Sequence, residues 1–129
     1  MAEGKVLLIE DNPSILALVV DLLEIIGLKV ITAVTAEDGI ELARSESPDL
    51  ILMDIGLPGM DGLAATRIIK EDTKINKIPV VAMSSHAMKG DKDKAIEAGC
   101  MDYITKPLDT KEFMKYVEKI ISEVKRKEI

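Results

Sequence analysis

The chain has 129 residues with 17 Lys and Arg against 23 Asp and Glu, a formal net charge of −6. That length suits one domain, its 47% hydrophobic content can build a packed core, and the acidic balance argues against non-specific nucleic-acid binding, which needs clustered Lys and Arg. A single cysteine (Cys100) and a single histidine (His86) exclude an intramolecular disulfide and argue against thiolate zinc sites and two-histidine chemistry.

The start, Met1 to Lys5, carries Glu3 and leads into a short apolar run broken by Glu10 and Asp11, which does not read as a signal peptide. That run, Val6–Ile9, reads as a strand. Pro13 suits the first turn of a following helix and Gly27 its end. Between them Ile15, Leu18, Val19, Leu22 and Ile26 fall on one helical face. Leu28–Ala33 reads as a second strand, and Thr35 with Asp38 as a capping box opening a second helix. Leu50–Met53 and Val80–Met83 are further aliphatic strands, the kind buried on both faces. Residues 88–98 offer few apolar anchors and an internal Gly90, so a weakly held, exposed helix is expected there. Tyr103–Thr105 is a weaker strand. Asp109 and Glu112 open a last helix with Phe113, Tyr116, Val117, Ile120, Ile121 and Val124 on one face.

Candidate strands thus begin near residues 5, 28, 49, 79 and 102, each separated by about one strand plus one helix. Five such βα units fold as a five-stranded parallel sheet with helices on both faces, one α/β domain over residues 1–129. The apolar runs stay far below the roughly 18 residues of a membrane span, so a cytoplasmic protein without membrane insertion is expected. Aromatics are limited to Phe113, Tyr103 and Tyr116, which argues against base-stacking surfaces.

In open parallel sheets, ligands bind beyond the carboxyl ends of the strands. The residues there are Glu10 and Asp11, Asp54, Ser84 and Ser85, and Lys106. Carboxylates gathered on one rim repel and need compensation, from Lys106 and from a cation. Hard oxygen donors favour Mg²⁺ or Mn²⁺. Asp54 can then act as a carboxylate nucleophile towards phosphorus, with Lys106, a hydroxyl and the metal neutralising the phosphoryl oxygens. Taken one at a time these residues have plainer readings. Asp11 is cap or ligand, Glu10 a solvated loop acid, Asp54 a strand end opening a turn, Ser84 a helix cap and Lys106 a surface lysine. Only their joint arrival at one edge favours the chemistry.

Four segments carry a resemblance. Val6-Leu-Leu-Ile-Glu-Asp-Asn-Pro13, Pro48-Asp-Leu-Ile-Leu-Met-Asp-Ile-Gly-Leu-Pro-Gly-Met-Asp-Gly62, Pro79-Val-Val-Ala-Met-Ser-Ser-His-Ala-Met88 and Ala98-Gly-Cys-Met-Asp-Tyr-Ile-Thr-Lys-Pro107 come in the order and spacing of a receiver domain. The chain closely resembles the CheY-like receiver of two-component response regulators, from about Lys5 to Val124. The resemblance implies that Asp54 is the phosphorylated aspartate and that Asp11, Asp54 and the Gly56 carbonyl hold Mg²⁺, with Glu10 acting through a metal-bound water. It implies that Lys106 contacts the phosphoryl group, with a cis bond to Pro107. Ser84 and Tyr103 would form the switch pair, and Gly56, Ser85 and His86 would tune the lifetime of the acyl phosphate. Ser84 stands where Thr is commoner and Ser85 where Ala is frequent.

The partners so implied are a sensor histidine kinase or histidine phosphotransfer protein, and a downstream protein on the face of residues 88–98, 103–105 and 110–125. With no output domain after residue 129, action by protein contact is expected, either as a terminal regulator or as a phosphorelay intermediate. At most the chain would phosphorylate itself from small phosphodonors and dephosphorylate itself. A Mg²⁺-dependent aspartyl phosphatase would need an acid two residues after the nucleophile, where Gly56 stands. A flavodoxin-type carrier would need a phosphate loop where Glu10 and Asp11 stand, and a docking-only pseudo-receiver would not need a complete acidic site.

Overall fold

The computed structural model describes residues 4–84, 90–106 and 109–127. The elements alternate in chain order: β1 (Lys5–Ile9), α1 (Pro13–Ile25), β2 (Lys29–Ala33), α2 (Ala36–Glu46), β3 (Leu50–Asp54), α3 (Gly62–Glu71), β4 (Val80–Ser84), α4 (Asp91–Ala98), β5 (Asp102–Thr105) and α5 (Thr110–Lys127). The strands form one parallel sheet in the order β2-β1-β3-β4-β5. The chain steps from β1 to β2 on one side and returns to β3 on the other, so the order reverses between β1 and β3. That reversal opens a crevice at the carboxyl ends of those two strands.

The continuous aliphatic runs reflect burial on both faces. Every residue of β3 and β4 is buried. Alternate side chains feed two cores: Leu7, Ile9, Ile51, Met53, Val80 and Ala82 pack with α2, α3 and α4. Val6, Leu8, Leu50, Leu52, Val81 and Met83 pack with α1 and α5.

Caps follow the sequence closely. Thr35 Oγ1 accepts the Asp38 N–H, and Asp109 Oδ1 accepts the Glu112 N–H. The first helix is capped by Asn12 and not by Asp11, since Asn12 Oδ1 accepts from Ser14 and Ile15. Its buried face is Val19, Leu22 and Leu23, with Ile26 buried just past its end, while Leu18 is 42% exposed. The α1 sequence is apolar on nearly every side, so its periodicity did not single out the inward stripe.

One boundary needs correction. Gly90 is not inside the fourth helix but caps it, at φ +94. A positive φ suits glycine and cannot continue a right-handed helix. Residues 88 and 89 lie outside the described residues. The expected weak seating of α4 does hold: its buried side chains are Ala95 and Ala98, each adding about 0.8 kcal/mol for its one methyl. The buried face of α5 (Phe113, Val117, Ile120, Ile121) adds about 1.5–3 kcal/mol per side chain.

At the β5–α5 contact the Tyr116 hydroxyl donates to Asp102 Oδ2 at 2.6 Å. Burial, then the carboxylate accepting its proton, pushes the Tyr116 phenol well above the ordinary range. A folded-state value above the unfolded one means this bond contributes fully below the unfolded pKa of about 10 and is lost as pH rises through the higher folded value. In a Tyr103→Phe variant, phenolate absorbance is therefore expected to stay silent through pH about 10 and to rise only with alkaline unfolding. Ordinary titration in the folded state would contradict it.

Candidate functional site

Four strand ends build the crevice. β1 delivers Glu10 and Asp11, β3 ends on Asp54, β4 ends on Ser84, and Lys106 follows β5. Together with Gly56 they line one cleft of about 720 Å³. The carboxylate oxygens of Glu10, Asp11 and Asp54 lie within 4.8 Å of one another. Glu10 is not a solvated loop acid, because it is fully buried. Its backbone stays in the sheet layer, with its N–H on the Ala33 carbonyl, and its carboxylate turns inward. Nor is Lys106 a surface lysine: its side chain is 8% exposed. Its Nζ lies 2.6 Å from Glu10 Oε1 and 3.5 Å from Asp54 Oδ1.

The second Glu10 oxygen accepts the Asn12 N–H at 3.1 Å, which fixes the start of α1 against the rim. Asp54 Oδ1 accepts the Gly56 N–H at 2.9 Å. Asp54 thus both ends a strand and opens a turn, while its carboxylate points into the cleft wall shared with Lys106. Burial is the main influence on Asp54, and with the adjoining Glu10 carboxylate it raises the pKa above the usual carboxylate range. The Gly56 N–H and the Lys106 ammonium act the other way.

One ammonium faces three carboxylates. A second positive charge would relieve the remaining repulsion. The donors are all hard oxygens, two buried and one (Asp11) exposed to solvent, and this set fits Mg²⁺ or Mn²⁺. Ser84 is buried at the cleft wall and belongs to the same rim. Tyr103 does not line the cleft. It lies on the neighbouring strand, in register with Ala82, half-buried against the α2–α4 core. Ser85, His86 and Pro107, and with Pro107 the expected cis bond, lie outside the described residues.

Comparison with known proteins decides the family. The family model described as the response regulator receiver domain matches residues 6–118. The chain belongs to the response regulator receiver family. A curated relative, the polar-differentiation response regulator DivK of Brucella ovis, is 37% identical over 119 residues, covering 92% of this chain and 97% of the relative. The receiver domain of a sensor histidine kinase of Pseudomonas aeruginosa PAO1 superposes with a TM-score of 0.85 at 30% identity, over 94% of this chain and 99% of that one. That structure has a magnesium ion coordinated in its active-site cleft. The receiver domain of a histidine kinase of Syntrophus aciditrophicus gives a TM-score of 0.87 at 29% identity, over 95% and 93% of the two chains. This receiver therefore has the CheY-like fold of a two-component signalling domain, and receivers of this family take their phosphoryl group from histidine kinases. Among its described residues no helix is long and apolar enough to cross a membrane.

Sequence reasoning missed two residues of the receiver's site. Asp91, the first residue of α4, also lines the cleft. Reading Gly90 as a cap instead of a helix interior would have placed it. Gly62 touches the site from behind: a Cβ there would meet the Asp54 carbonyl oxygen at 2.5 Å and Ile55 Cα at 2.7 Å. A glycine opening a helix after a strand-end acid was the available signal.

Proposed function

We propose that Asp54 is the phosphoacceptor, taking a phosphoryl group from the phosphohistidine of a sensor kinase or a histidine phosphotransfer protein. The observation that carries this is a buried carboxylate at a strand end, inside a three-carboxylate cleft, with Lys106 Nζ 3.5 Å from its Oδ1. An Asp54 oxygen attacks phosphorus in line, the P–O bond forms, the P–N bond breaks, and the imidazole leaves with the bond electrons. Asp11, Asp54 and the Gly56 carbonyl would hold Mg²⁺ (or Mn²⁺), with Glu10 acting through a bound water. The bound ion would neutralise phosphoryl oxygens during transfer. Lys106 swings from its carboxylate partners to the incoming oxygens, at no cost in burial because it already lies in the cleft.

The product is a signal and not a released substrate. Gly56 carries no acid to protonate a leaving group, which favours a signalling acceptor over a phosphatase. Ser84 Oγ, at the same rim, follows the new acceptor oxygens, and Tyr103 fills the space that this movement vacates. The face of 88–98, 103–105 and 110–125 then changes its affinity for a downstream protein. Ser85, His86 and the open side of Gly56 set how fast water removes the group. A cytoplasmic setting agrees with Cys100, a buried free thiol. The same chemistry serves a terminal regulator or a phosphorelay intermediate.

Beryllofluoride with Mg²⁺, read by amide NMR, tests the switch. Wild-type protein is expected to shift at Asp54, along α4 and at Tyr103, and Ser84→Ala to keep the Asp54 response while losing that at Tyr103. An unchanged Tyr103 response in Ser84→Ala would sink the switch assignment.

A further inference from the structure

The three aromatic residues of the chain, Tyr103, Phe113 and Tyr116, all line one groove of about 490 Å³ between β5 and the first turns of α5. Phe113 also belongs to the α1–α5 core, and all three meet beside the last strand of the sheet, where one edge is open. Phe113 is buried and forms the floor and Tyr116 is a half-buried wall, while Tyr103 borders the groove from β5 with its side chain packed against the α2–α4 core. The lip is acidic: Asp102, Asp109 and Glu112. Among the described residues no lysine or arginine lines it.

The Tyr116 wall and the acidic lip are held in place. Asp102 accepts the Tyr103 N–H at 2.8 Å through Oδ1 and the Tyr116 hydroxyl at 2.6 Å through Oδ2. Asp109 accepts the Glu112 N–H at 3.0 Å. A groove pre-set in this way loses little side-chain freedom on binding. Aromatic faces beneath a ring of carboxylates suit a cation, and a planar guanidinium best, because it stacks on a ring and forks to carboxylate oxygens at once.

We propose that this groove receives an arginine, presented on an otherwise apolar segment of the partner protein. The proposal rests on the reading of the β5–α5 face as the output surface, and it adds the chemistry by which the partner is recognised. Specific capture must be separated from the general pull of an acidic protein, so the probe and the variants are paired with controls.

The test is an NMR titration of the full chain with a short amidated helical peptide of leucine and alanine bearing one central arginine. The arginine peptide is expected to shift the amides of Tyr103, Phe113 and Tyr116. Changing its arginine to glutamine should weaken binding about tenfold or more. The double variant Asp109→Asn, Glu112→Gln should weaken the arginine peptide to a similar degree. Asparagine keeps the helix cap, so folding is not at stake. Glu37→Gln, an exposed acid on α2, should change nothing. Equal binding of the glutamine peptide, shifts elsewhere on the surface, an equal loss in Glu37→Gln, or no binding would each overturn the proposal. Running both states with beryllofluoride separates the two readings. Arginine-dependent binding of equal strength in both states upholds the groove and removes its role as the switched surface.

Discussion

Replacing Lys106 with alanine is expected to slow phosphoryl acceptance from acetyl phosphate by about 10²–10³-fold, the usual effect of removing one donor aimed at developing charge. The same substitution should tighten Mg²⁺ binding about tenfold, because it removes the ammonium that competes for the same carboxylates. The two effects run in opposite directions, and that is the informative part. A lysine that merely held the cleft in shape would, when removed, weaken both. Stability should also fall. Glu10 is fully buried, and its Oε1 has Lys106 Nζ at 2.6 Å. Breaking a sealed buried pair costs about 3–5 kcal/mol. This cleft opens to water on the Asp11 side, so a loss of about 1–3 kcal/mol is expected. Single-turnover phosphorylation, calorimetric Mg²⁺ titration and urea unfolding read the three quantities. Weaker Mg²⁺ binding in Lys106→Ala would contradict the account of the charge balance.

The second large effect is expected at Gly62→Ala. Gly62 has no positive φ, so its reason for being glycine is space. The first turn of α3 lies directly on the backbone of Asp54 and Ile55, and an added methyl would meet main-chain atoms at 2.5 and 2.7 Å. Backbone cannot rotate out of the way as a side chain can. The cost of such overpacking is about 1–3 kcal/mol, and relief must come by moving either α3 or the phosphoacceptor. Phosphorylation should therefore fall about tenfold or more, since small misplacements of a reacting group are costly. Gly59→Ala is the matched control: Gly59 has φ +75 and open space around its missing Cβ. That change should cost about 1 kcal/mol of backbone strain and leave phosphorylation intact. Urea unfolding and phosphorylation rates of the two variants check this. Equal rates in both would remove the argument from close approach.

How much of this was visible in the chain beforehand depends on how far apart the deciding residues are. Leu50–Met53 and Val80–Met83 announced central strands because burial on both faces leaves no polar alternation to obscure the run. Asp54 and Ser84 were then placed by topology alone, since parallel strands bring their carboxyl ends to one rim. Glu10 was not legible by itself. Its burial depends on Lys106, 96 positions away, and a local reading of Glu10-Asp11-Asn12-Pro13 favours a solvated loop. Topology brought both to one rim, with Lys106 as compensation for the gathered carboxylates, but no pattern in the chain paired it with Glu10 in particular. Leu18 was assigned to the wrong side of α1 because a helix apolar nearly all round gives no unique stripe. Gly90 was read as an interior glycine because a positive φ cannot be seen in a sequence, and Asp91 was missed with it. The convergence of Tyr103, Phe113 and Tyr116 was hidden for a different reason. Tyr103 belongs to a strand and the other two to a helix, and only the β5–α5 crossover brings them together.

Intact mass after incubation with acetyl phosphate, with and without Mg²⁺, beside Asp54→Asn, tests the central claim most directly. Wild-type protein with Mg²⁺ should gain one phosphoryl group, and removal of the metal or of the Asp54 carboxylate should each abolish the gain. A phosphoryl adduct of undiminished yield on Asp54→Asn would contradict the assignment of the acceptor. So would failure of wild-type protein to bind beryllofluoride in the presence of Mg²⁺.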